Sequence, residues 1–108
     1  MILFKPEHKD MILNGTKIET RRVGKKRWNV GSIHQCKLNF KKDSLPFALV
    51  EIVCVQREKL RYMGIEDAKA EGYNTLEEYK DVFINIYGMW QPDLEVWVVR
   101  FRLKEKSE

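Results

Sequence analysis

Residues 94–103, Leu-Glu-Val-Trp-Val-Val-Arg-Phe-Arg-Leu, pass into a strict alternation that places Trp97, Val99, Phe101 and Leu103 inward and Arg100, Arg102 and Lys104 outward. Successive side chains of a strand point to opposite faces, so this run predicts a half-buried β-strand. Residues 47–55, FALVEIVCV, are denser in apolar and β-branched side chains, as a central strand requires. Residues 33–40 end in the same alternation, with Cys36, Leu38 and Phe40 on one face and Lys37, Asn39 and Lys41 on the other. Residues 1–5 form a short apolar strand candidate, and Ile18, Thr20 and Val23 lean residues 17–23 toward extended structure.

Helices fall between these strands. Pro6 suits a first helical position, and Met11 and Ile12 followed by Asn14-Gly15 predict a short helix with a glycine stop. Residues 65–71 begin with acids and meet Gly72. Thr75 with Glu78 forms a capping box ahead of Leu76, Tyr79, Val82, Phe83 and Ile86 at helical spacing, and Gly88 closes the run. The order strand, helix, several strands, two helices, strand does not alternate as βαβ units do. It predicts an α+β fold, a small mixed β-barrel flanked by short helices, as one domain over residues 1–108.

The composition agrees. With 44% hydrophobic residues, six Gly and three Pro, the 108-residue chain lies outside the disordered and collagenous classes. No apolar run approaches the ~20 residues of a membrane helix, and the opening MILFKPEHKD carries charges where a signal peptide is apolar. A soluble, cytoplasmic protein without a membrane partner is expected. Cys36 and Cys54 make neither a disulfide framework nor a zinc site, so no metal and no cofactor is predicted. The net charge of +4 is unevenly spread: Lys17, Arg21, Arg22, Lys25, Lys26 and Arg27 lie within residues 15–28, opposed by Glu19 alone. Such a basic side suits an anionic partner such as RNA. Trp28, beside these cations, could stack on a base or close the end of the barrel.

No nucleophile elbow, phosphate loop or dinucleotide fingerprint is present. The chemistry gathers instead in Gly15-Thr16-Lys17-Ile18-Glu19-Thr20-Arg21-Arg22, directly after the helix-ending glycine. This element, with Trp28-Asn29-Val30-Gly31, Ala70-Glu71-Gly72-Tyr73, the capped helix and the last strand, resembles the ASCH domain family over nearly the whole chain. The resemblance implies a PUA-like β-barrel and an association with RNA. It is similar in particular to a branch of small bacterial ASCH proteins that hydrolyse N4-acetylcytidine to cytidine and acetate with a Lys, a Thr and a Glu. Carried onto this sequence, those residues fall on Lys17, Thr20 and Glu71, with Thr20 as nucleophile, Lys17 as base and Glu71 as acid. The Arg21-Arg22 pair departs from that branch, which tends to carry one Arg after an apolar residue.

Two functions follow as expectations. One is a hydrolase of a modified cytidine nucleoside. The other is a non-catalytic RNA-binding module, with Arg21, Arg22, Lys25, Lys26, Arg27 and Trp28 contacting the ligand. On the residues alone, the favoured reading is that Thr20 is strand surface, Lys17 a solvated cation and Glu71 a helix-end acid, and it is the resemblance that draws them into one pocket. On a regular strand, residues three apart face opposite ways, so Lys17 and Thr20 share a pocket only if the segment bends before the strand begins.

Overall fold

Two twelve-residue strands, β4 (Ala48–Lys59) and β5 (Glu95–Lys106), form the spine of the structure, a computed structural model that describes residues 1–106. They pair antiparallel from Ala48 opposite Lys106 to Lys59 opposite Glu95, with register shifts between Leu49 and Val50 and between Ile52 and Cys54. Such bulges bend and twist a strand, and here they curl the sheet. β3 (Ile33–Lys37) pairs antiparallel with β4, β1 (Ile2–Leu3) pairs parallel with β3, and β2 (Glu19–Arg22) pairs antiparallel with β5. The order β1-β3-β4-β5-β2 makes a mixed half-barrel whose edges are β1 and β2. The expected barrel is therefore open along one seam. The Arg22 side chain bridges the two edges, donating from Nη2 to the Leu3 carbonyl at 2.8 Å.

Inside the curl lie Ile2, Phe4, Ile12, Trp28, Cys36, Val50, Ile52, Val99 and Phe101. The remaining helices, α2 (Ile65–Ala70) and α3 (Leu76–Tyr87), cover the outer face of the first half of β5, where Val96 and Val98 pack with Leu60, Met63, Ala68, Tyr79 and Phe83. β5 is thus buried on both faces over this half. That corrects the simple alternation: Val96 and Val98 are buried, whereas Trp97 is half-buried and donates from its indole to the Gly24 carbonyl at 3.0 Å. A second correction concerns Phe40. The pairing of β3 with β4 stops at Cys36 opposite Ala48, the chain leaves the sheet after Lys37, and Phe40 is 78% exposed.

The helix ends follow the residues that cap them. A 3-10 turn at Pro6–His8 leads into α1 (Lys9–Leu13), which stops at Asn14 and Gly15. Thr75 accepts the Glu78 amide at 3.1 Å, and Gly88 ends α3 in the left-handed conformation with φ of 92°. Cys36 is buried, and burial pushes its thiol up to about 12, while Cys54 is a half-buried free cysteine. Among the described residues no helix is long and apolar enough to cross a membrane.

Candidate functional site

β2 consists wholly of polar residues, yet Glu19, Thr20 and Arg21 are buried and Arg22 is half-buried. Burying such groups is unfavourable unless each finds a partner. The period of the strand sorts them into two sets. Glu19 and Arg21 face one way, where Arg21 Nη1 donates to Glu19 Oε2 and Arg100 Nε donates to Glu19 Oε1 at 3.0 Å. Glu58, Asp67 and Glu71 also lie within 4 Å of Arg21. Burial alone would lower Arg21, and these carboxylates hold its pKa above the ordinary value. Thr20 and Arg22 face the other way, with Arg22 Nε donating to Thr20 Oγ1 at 3.0 Å.

Lys17 precedes the strand, which removes the geometric objection. Its backbone is held by the Met11 carbonyl at 3.0 Å, and the amide of Ile18 donates to the Ala70 carbonyl at 2.9 Å. That second bond draws the end of α2 against the start of β2 and delivers Glu71 to Lys17. The Lys17 ammonium donates to Glu71 Oε1 at 3.1 Å, to the Glu71 carbonyl at 2.5 Å and to the Glu19 carbonyl at 3.1 Å. Gly72 makes this approach possible. Its φ of 103° favours glycine, and a Cβ there would lie 2.8 Å from Met11 Sδ and 3.7 Å from Lys17 Cβ.

A cavity of about 170 Å³ opens here, lined by Lys17, Thr20, Arg21, Arg22 and Glu71 together with Leu3, Phe4, Lys5 and His8. Its remaining wall is the face of α3 and the loop before it, through Tyr73, Tyr79, Val82, Phe83, Ile86 and Tyr87. The volume falls below the ~300–1,000 Å³ of pockets for drug-sized ligands, so it suits a group about one ring in size. The tyrosine and phenylalanine rings stack edgewise or tilted along the wall, at centroid distances of 5.7 Å for Tyr73–Tyr79 and 4.6 Å for Phe83–Tyr87.

Burial dominates the protonation equilibria. It lowers the pKa of Lys17 against the pull of the Glu71 carboxylate, and raises that of Glu71 against the pull of Lys17 and Arg21. Both shifts move the pair toward the neutral amine and the neutral acid. His8 is lowered to about 4 by burial and by the neighbouring Lys17, so the imidazole is neutral at pH 7. Among the described residues, Glu71 Oε2 and Arg21 Nη2 are buried and find no hydrogen-bond partner.

Of the residues selected from the sequence, Lys17, Thr20, Arg21, Arg22 and Glu71 line one cavity. Lys25, Lys26 and Arg27 are exposed on the turn after β2 and do not line it. Trp28 is buried in the barrel core, 6% exposed, so its ring packs against the protein and offers no free face to a base. Sequence reasoning did not select Phe4, Lys5, His8, Tyr79, Phe83 and Tyr87 as site residues. One signal was available. The apolar positions Val82, Phe83, Ile86 and Tyr87 span a wider arc of α3 than a single core stripe needs.

No protein-family model matches the chain, and no curated protein matches it. Solved structures do. An ASCH domain from Lactobacillus crispatus JV V101 superposes with a TM-score of 0.72 at 18% identity, covering 90% of this chain and 70% of that one. Protein EF3133 from Enterococcus faecalis V583 gives 0.72 at 18% identity, covering 93% and 68%. A ZmASCH mutant from Zymomonas mobilis gives 0.66 at 14% identity, covering 94% and 66%. The fold is that of the ASCH domains, a small α+β, PUA-like half-barrel.

Proposed function

We propose that the cavity binds the base of a modified cytidine and hydrolyses its N4-acyl group, releasing cytidine and acetate from N4-acetylcytidine. The observation that carries this reading is the convergence of Lys17, Thr20 and Glu71 on one cavity, with the Lys17 ammonium 3.1 Å from Glu71 Oε1. A threonine hydroxyl is a weak nucleophile and needs an adjacent base. Burial depresses Lys17 in the direction that makes its amine such a base, and raises Glu71 in the direction that makes its carboxyl an acid. Thr20 Oγ1 then attacks the acyl carbon and gives its proton to Lys17, while Glu71 protonates the departing N4. Water releases acetate from Thr20.

One observation favours a second reading, a non-catalytic module that holds RNA or a nucleoside. Thr20 Oγ1 takes its hydrogen bond from Arg22, and the Lys17 ammonium is already surrounded by three acceptors from Glu19 and Glu71. Incubation of the protein with N4-acetylcytidine, followed by chromatography, separates the two. Cytidine release by the wild type that disappears in a folded Thr20→Ala variant supports hydrolysis. Absence of turnover, with RNA affinity falling at a log-log slope near −0.7 per phosphate contacted, supports the binding module.

A further inference from the structure

His8 lines the cavity but takes no part in the steps assigned to Lys17, Thr20 and Glu71. Pro6 starts the turn that carries it, and the His8 amide donates to the Lys5 carbonyl at 2.9 Å, which fixes its backbone. The loop between α2 and α3 fixes its side chain. The imidazole meets the Tyr73 ring edgewise at 5.4 Å and 82°, and its Cδ2 lies 3.7 Å from where a Cβ on Gly72 would stand. Only 7% of the residue is exposed. Buried polar side chains ordinarily find hydrogen-bond partners within the protein. Among the described residues the His8 ring has none, whereas Lys17, Thr20, Arg21 and Arg22 around the same cavity are engaged with protein groups. Burial, with the positive charges of Lys17, Lys5 and Arg22 against Glu7 alone, keeps the ring uncharged at pH 7. A neutral imidazole carries one N–H donor and one acceptor nitrogen.

We propose that His8 determines which ring the cavity accepts: its imidazole N–H donates to the acceptor edge, the ring nitrogen or ring carbonyl, of a cytosine-type base. This rests on the reading of the cavity as a base site and adds the residue that recognises the base. The hydrolysis places the acyl carbon at Thr20 and N4 at Glu71, so the other acceptors of the base fall to the rest of the wall. A ring clamped between Tyr73 and the Gly72 backbone holds its donor in place before the ligand arrives. A pocket built to hydrogen-bond a ligand rejects a ring that lacks the matching group, because the buried donor is then left unpaired. His8 therefore selects the base by binding it, and the bond-breaking steps stay with Lys17, Thr20 and Glu71.

The chain has two histidines, so their ring signals are readily told apart in a nitrogen-15 NMR spectrum. His34 is hydrogen-bonded to the Ser32 hydroxyl at 2.8 Å, away from the cavity, and serves as internal reference. At pH 7, cytidine added to the wild type, and N4-acetylcytidine added to a folded Thr20→Ala variant, should each shift the His8 ring nitrogens saturably and leave His34 unmoved. His8→Phe keeps a ring and removes the donor. It should raise KM for N4-acetylcytidine by about 10-fold or more with kcat changed less than about threefold, and His8→Gln, whose amide supplies an N–H, should recover part of the loss. His8 signals that stay unmoved with both nucleosides overturn the inference, as does a KM of His8→Phe within about threefold of wild type. If His8→Phe does not fold, the spectra of the other two proteins decide. Absence of turnover together with a saturable shift at His8 refutes the hydrolase reading alone and supports the inference.

Discussion

Replacing Lys17 with Met keeps the aliphatic stem and removes the ammonium, which isolates the contribution of the buried charge pair. Lys17 and Glu71 side chains are 2% and 5% exposed, and the ammonium donates to three acceptors. After Lys17→Met, the nearest remaining cation to the Glu71 carboxylate is Arg21, with Nη1 3.7 Å from Oε2. Removing one member of a buried pair costs about 3–5 kcal/mol, which in a domain of this size lowers Tm by about 15–30 °C. Glu71→Gln is milder, about 1–3 kcal/mol, because Lys17 keeps the carbonyls of Glu19 and Glu71 and the new amide still offers an oxygen. In the double variant Lys17→Met/Glu71→Gln neither charge is left behind. Its loss should fall short of the sum of the singles by more than about 1 kcal/mol. Urea unfolding followed by circular dichroism at pH 7 measures all four proteins at constant m-value. A Lys17→Met protein within about 1 kcal/mol of wild type, with an additive double variant, would refute the reasoning.

Three other outcomes are expected. Gly72→Ala should cost about 2–3 kcal/mol by the same unfolding assay, from its left-handed φ and from the approach to Met11, whereas Gly15→Ala, at φ of 82° with open space, should cost only about 1 kcal/mol. Equal losses would show that the approach to Met11 is accommodated freely. His8 is lowered to about 4 against 6.5 unfolded, so between these values the unfolded chain binds the extra proton and stability is lost as pH falls. The loss approaches about 3 kcal/mol near pH 4, and His8→Gln should remove that part of the difference between unfolding at pH 7 and pH 4.5. Trp28→Ala should cost about 3–5 kcal/mol of stability, as a core tryptophan does, and a near-neutral change in unfolding would contradict its place in the core.

The sequence declares what local chemistry dictates. Thr75, Gly72, Gly88 and the run 47–55 specify helix ends and a strand through capping, backbone freedom and β-branching, which do not depend on distant partners. It does not declare which faces are covered twice. Val96 and Val98 are buried because α2 and α3 lie over the outer face of β5, a second layer that period-two reading of one strand cannot see. Phe40 continues the alternation of β3, but the pairing ends before it, since register belongs to two strands at once. The site was half legible. Lys17, Thr20 and Glu71 were selected by their motif, whereas the aromatic wall depends on α3 lying across the cavity from β1 and β2, which no local pattern encodes.

Glu19 shows why a strand so polar can be specific. It is the lone acid in the basic segment, and it sits opposite Arg100 in the β2–β5 register, accepting from Arg100 and from Arg21. A slip of one residue would turn every side chain of β2 to the other face. Thr20 and Arg22 would then meet the carboxylates around Arg21, and Glu19 would face the cavity unpaired. The cost of burying an unpaired charge therefore penalises the slipped pairing more strongly than an apolar strand could. The same ion pairs that fix the register use the charge of Arg21, whereas among the described residues no carboxylate forms an ion pair with Arg22, whose Nε donates to Thr20 Oγ1 on the other face.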